Sequence, residues 1–106
     1  MSGLFGLTAS ERKALEPLPP GASMTRLVNR LYQLESLRGN TLIKMGAPET
    51  RAIDMVRYQA DVTVISAAIQ TTALRARTAW IRSAATRFPT RVRLPLEAWL
   101  TQLSKS

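Results

Sequence analysis

Residues 48–89 read PETRAIDMVRYQADVTVISAAIQTTALRARTAWIRSAATRFP, and between Pro48 and Pro89 there is neither proline nor glycine. Nothing in this stretch breaks a helix, Pro48 suits a first helical position, and Glu49 stands where the helix dipole favours an acid. The spacing predicts one long helix over about 48–88. At about 100° per residue, Ile53, Val56, Ala60, Ala67, Leu74, Ile81, Ala85 and Phe88 fall on one side, and Tyr58, Val62, Ile65, Ile69 and Ala76 on nearly the opposite one. Two apolar faces imply packing on both sides. The β-branched run in DVTVISA is the competing strand reading, but its flanks supply neither turn residues nor a second β-rich run. A break near Thr71 and Thr72 is the other departure that this stretch allows.

Outward from this helix the punctuation is local. In TASERKALEP, Thr8 and Glu11 match a capping box, which predicts a short helix over Ala9 to Glu16. Pro17, Pro19, Pro20 and Gly21 then form a stiff connector, because proline fixes φ and supplies no amide proton. Ser23 can cap a second helix toward Leu37, with Leu27, Val28, Leu31, Leu34 and Leu37 at helical spacing. Gly39 and Asn40 are plausible stop residues, although Thr41 to Met45 could add a turn before Gly46. Beyond Pro89, Pro95 can open a last short helix burying Leu96, Trp99, Leu100 and Leu103. The expectation is an all-α single domain over residues 1–106. It is a small helical bundle with one long central helix and shorter flanking helices, joined near the N-terminus by the connector at 17–21.

Composition removes most enzyme classes. Neither Cys nor His occurs, so thiol catalysis, disulfides, Cys-ligated zinc and the usual general base near neutrality are missing. No glycine-rich phosphate loop, EF-hand or zinc spacing appears either. The expectation is a non-enzyme with no catalytic residue, no metal and no cofactor. The beginning, MSGLFGLTASERK, lacks a basic segment and a long apolar run, which suggests no secretory signal and a cytoplasmic location. The longest uncharged stretch, Val62–Leu74, falls short of the ~20 apolar residues a spanning helix needs, so no membrane partner is expected.

Charge is the most informative feature. Fifteen Lys and Arg against seven Asp and Glu give a net charge of +8, which argues for a polyanionic partner. From Val62 through Leu96 there is no acid, while Arg75, Arg77, Arg82, Arg87, Arg91 and Arg93 all lie there. No carboxylate stands three or four residues from Arg75, Arg77, Arg82 or Arg87, so helical ion pairing cannot neutralise them. Arg57, flanked by Asp54 and Asp61, reads instead as part of a helix-surface charge cluster. Guanidinium groups fork onto phosphate oxygens, and Trp80 and Phe88 sit in the same stretch, a recipe for holding a single strand by backbone contacts and base stacking. The bland reading of Trp80 is core filler between Ala76 and Ala84. Phe88 and Trp99 are read as core. The candidate nucleic-acid-binding set is therefore Arg75, Arg77, Arg82, Arg87, Arg91, Arg93 and Trp80.

With its arginine-rich segment TTALRARTAWIRSAATRFPTRVR, its size and its lack of catalytic residues, the chain resembles the small anti-CRISPR proteins of phages and mobile elements. The resemblance is one of size and style and carries no motif, so it transfers no site residue. Many such inhibitors resemble acidic DNA mimics, and this basic chain departs from them. What the resemblance implies is contact with the nucleic acid of a nucleoprotein complex, such as the displaced single strand of an R-loop. The leading expectation is single-stranded DNA binding, with RNA as the alternative strand. Two other readings stand beside it: an adaptor whose long helix docks on an acidic protein or on itself, and a mobile-element regulator that reads duplex DNA.

Overall fold

A computed structural model of the chain describes residues 7–83 and 89–105. Four helices follow one another: α1 (Ala9–Lys13), α2 (Met24–Gly46), α3 (Ala52–Ser83) and α4 (Thr90–Lys105), with no strand among the described residues. At a rise of about 1.5 Å per residue, the 32 residues of α3 account for nearly all of the molecule's 50 Å long axis. Both α2 and α4 pack against α3.

The core is two interlocked stripes. Leu27, Leu31, Leu34 and Leu37 of α2 meet Ile65, Ile69, Ala73, Ala76 and Trp80 of α3, and Leu100 and Leu103 of α4 complete the cluster. Each fully buried leucine or isoleucine contributes about 1.5–3 kcal/mol relative to exposure, so this contact dominates the stability of so small a chain. The alanines Ala73 and Ala76, both at 0% exposure, leave room for the helices to approach.

One expectation about α3 is corrected. Only one of its two apolar faces is packed: the buried residues Asp61, Ile65, Ile69, Ala73, Ala76 and Trp80 line one side. On the other, Ile53, Val56, Leu74 and Ile81 are 57, 71, 48 and 65% exposed. Both neighbouring helices sit on the first side, and the described chain has no further long helix with which to cover the second. Asp61 is also misplaced by the sequence reading. It is buried, and on the surface nearby Arg51 Nε lies 3.2 Å from Asp54 Oδ2.

Element boundaries move where burial overrides local signals. Gly39 and Asn40 do not stop α2, because Leu37 and Thr41 lie on the buried stripe. The Thr41 hydroxyl donates to the Leu37 carbonyl at 2.9 Å, which removes the penalty of burying it. The helix ends at Gly46, where Pro48 pushes Ala47 into an extended conformation (φ −68, ψ 136). Pro48 itself is not a first helical residue. It occupies a turn closed by Thr50 N–H donating to the Ala47 carbonyl at 3.0 Å, and α3 begins at Ala52. In α4 the start lies upstream of Pro95, because the Pro89 carbonyl accepts from Val92 and Arg93, both at 3.0 Å. Pro95 therefore sits inside the helix, where it omits one backbone bond. α1 is shorter than expected, its tail to Glu16 continuing as i to i+3 turns.

The caps are as the sequence indicates. Glu11 N–H donates to Thr8 Oγ1 at 3.1 Å, Thr8 N–H donates to Glu11 Oε1 at 2.9 Å, and Arg26 N–H donates to Ser23 Oγ at 3.2 Å. The Thr8 amide holds the Glu11 carboxyl below its ordinary value. A depressed folded value means that the box stabilises α1 above the unfolded carboxylate range and is lost as pH falls through the depressed value. An acid titration followed at the Thr8 amide resonance should show one transition below the ordinary glutamate range; a resonance that ignores it would contradict the box. Leu31→Ala should lower stability by about 2–5 kcal/mol in urea unfolding. Ile43→Ala, at a position 73% exposed, should change it by less than about 0.5 kcal/mol.

Candidate nucleic-acid interface

The candidate side chains come from the C-terminal half of α3 and the first turns of α4. Arg75 and Arg82 are seven residues apart and project on nearly the same side of a helix that turns about 100° per residue. Both line one groove of about 360 Å³, together with Pro20, Leu74 and Thr78. Arg77 stands about 140° around the helix from Arg82. Arg77, Arg82 and Arg91 are exposed, and among the described residues none of the three forms an ion pair. Arg87, like Phe88, lies outside the described residues.

Arg75 has a different task. It is half-buried, and its Nη1 and Nη2 donate to the carbonyls of Leu18 at 2.8 Å and Pro19 at 2.6 Å. Arg30 of α2 acts in the same way one step upstream, donating from Nη1 to the carbonyls of Ala14 at 2.9 Å and Glu16. A connector with prolines at 17, 19 and 20 cannot close its own carbonyls into a helix, so these acceptors take their donors from distant arginines. Sequence reasoning missed both clamps. The only hint was that an extended proline-rich segment must satisfy its carbonyls somewhere.

Trp80 is corrected as a stacking platform. Its ring is 3% exposed, and its indole Nε1 donates to Glu97 Oε1 at 2.9 Å, so no base can reach it. Glu97 also faces Arg93, whose Nε is 3.7 Å from the same Oε1. This pair is partly exposed, and such pairs contribute only about 0.2–1 kcal/mol. The most exposed ring among the described residues is one that the sequence reading did not single out. Tyr32 of α2 is 61% exposed and stacks on Trp99 of α4, with centroids 5.1 Å apart and planes at 25°. Tyr32 falls outside the leucine stripe of α2, which was the available signal. Trp99, expected in the core, is half-buried.

The described residues hold no group of three or more metal-ligating side chains, and none of the helices is long and apolar enough to cross a membrane. No known protein family, curated protein or solved structure matches the chain.

The division of labour among arginines is testable. Arg75→Gln should release the connector, lowering stability by about 1–3 kcal/mol, the range for a hydrogen bond from a charged group, and speeding amide exchange at Gly21 and Ala22. Arg77→Gln should stay within about 0.5 kcal/mol of wild type. Equal effects of the two substitutions would show that Arg75 is no clamp.

Proposed function

We propose that the protein is a non-enzymatic nucleic-acid-binding protein that holds single-stranded DNA through Arg77, Arg82 and Arg91, with Arg93 adjoining. The observation that carries this reading is the exposure of three guanidinium groups, with no ion pair among the described residues, on a segment without acids from Val62 through Leu96. Guanidinium groups without carboxylate partners are placed to take phosphate oxygens.

Their dispersal around α3 favours a flexible strand over a duplex. Two arginines about 140° apart on one helix can be reached by a chain that bends over a few nucleotides. Duplex DNA, stiff over about 150 base pairs, does not bend around a single helix to meet both. With Trp80 buried, stacking on that ring is removed from the account and phosphate contacts carry the affinity. Binding is accordingly moderate and salt-dependent. The resemblance to small anti-CRISPR proteins extends the proposal to a place of action, the displaced strand of an R-loop, where occupancy would block nuclease recruitment.

A labelled oligothymidylate titrated across salt tests the reading. If three to five phosphates are neutralised, the log–log slope should be about −2 to −3.5, with weaker binding to random duplex. The triple substitution Arg77→Glu, Arg82→Glu, Arg91→Glu should abolish binding while leaving helicity intact, since all three side chains lie outside the core. An affinity indifferent to salt would contradict the proposal. A particular duplex that outcompetes random single strands by orders of magnitude would assign a regulator of transcription instead.

A further inference from the structure

α2 carries a single aromatic residue, and it turns the face of its ring to solvent. Tyr32 is 61% exposed although it stacks on Trp99 of α4, with centroids 5.1 Å apart and planes at 25°. One face of the phenol lies against the indole, so its exposure belongs to the other face and the edge. Aromatic anchors of protein interfaces insert into pockets of the partner. A ring laid flat on another offers a plane instead, and the ligand that fits a plane is itself flat. Trp99, half-buried, backs the ring, so a ligand meets a platform already in place and little side-chain entropy is lost on binding.

The surroundings of Tyr32 on α2 are polar without being basic. One turn to either side stand Asn29 and Ser36, both exposed, and Glu35, half-buried. No cation lies three or four residues from Tyr32, so α2 offers phosphate nothing here, whereas a base edge finds an amide and a hydroxyl. The cation is on α4. Arg91 is exposed, with no ion pair among the described residues, and precedes Trp99 by eight residues. That is about 12 Å along the axis and about 80° around it. About three or four nucleotides bridge such a distance at the 3.4 Å spacing of a stacked strand.

We propose that the Tyr32–Trp99 pair is a nucleobase platform: a base of the bound single strand stacks on the outer face of Tyr32 while Arg91 holds a phosphate a few nucleotides away. This rests on the single-strand reading above, and it supplies what the burial of Trp80 removes from that reading, a ring on which a base can lie. Every base has a π-face, so stacking here tolerates any sequence. It does require an unpaired base, because in a duplex the faces of the bases are already covered by their neighbours. Since Tyr32 belongs to α2 and Arg91 to α4, the strand crosses both helices that pack on α3.

Removing the bases from the ligand tests this without touching the protein. The full chain should bind oligothymidylate at least about fivefold more tightly than an abasic deoxyribose-phosphate chain of the same length, with the same salt slope for both, because the phosphates are the same. Tyr32→Leu should weaken oligothymidylate binding by about 5- to 100-fold, keep that slope, and bind the abasic chain as the wild type does. Tyr32→Phe, which retains the ring, should stay within about twofold of the wild type. Oligothymidylate should also move the Tyr32 ring protons upfield, as a stacked base does. Equal, salt-dependent affinity of the wild type for the two chains would overturn the platform and leave the single-strand reading standing. So would a Tyr32→Leu variant that binds oligothymidylate like the wild type. Binding to neither chain would overturn the single-strand reading, and the platform with it.

Discussion

The leucine stripe of α2 lies against Ile65, Ile69, Ala73 and Ala76 of α3, and this exclusion of water from one side of the long helix fixes every other placement in the molecule. Trp80 extends the same stripe, and Glu97 of α4 holds its indole, so α4 docks on the side that α2 already occupies. A chain of 106 residues has no third long helix among its described residues to put on the opposite side. What remains outside is therefore both apolar and basic.

The net charge of +8 is not a single patch. Arg30 and Arg75 are consumed by the connector, where the planar guanidinium satisfies two carbonyls at once, a task that the point charge of a lysine performs less well. Arg51 and Arg93 face carboxylates. Among the described residues, Arg77, Arg82 and Arg91 are the exposed remainder of the acid-free stretch, and Arg77 and Arg82 point to different sides of α3. Arginine richness in this sequence thus serves architecture and surface chemistry together, and the two uses are separated by a few residues on one helix.

Helix identity, the capping box at Thr8 and Glu11, the Ser23 cap and the proline connector were legible in the sequence because each depends on neighbours within a few positions. The ends of α2, α3 and α4 were not. Gly39, Pro48 and Pro95 are local signals, and at each of them burial or a turn formed with other residues decided the outcome. The two apolar faces of α3 were legible as faces. Which one would be covered was not, because that depends on how many helices arrive and from where. Arg75 illustrates the same limit at the candidate site: its carbonyl partners lie 56 and 57 residues away. Trp80 carried both a stacking and a core reading in sequence, and only the acceptor on α4 separates them.

The central claim is that particular guanidinium groups, and not the overall positive charge, meet phosphate. Arginine Nε–Hε resonances report this residue by residue when a short oligothymidylate is added. The account predicts that Arg77, Arg82 and Arg91 shift and saturate together while Arg30 and Arg75, held on connector carbonyls, stay in place. Uniform small shifts across all arginines, or a response led by Arg75, would contradict it.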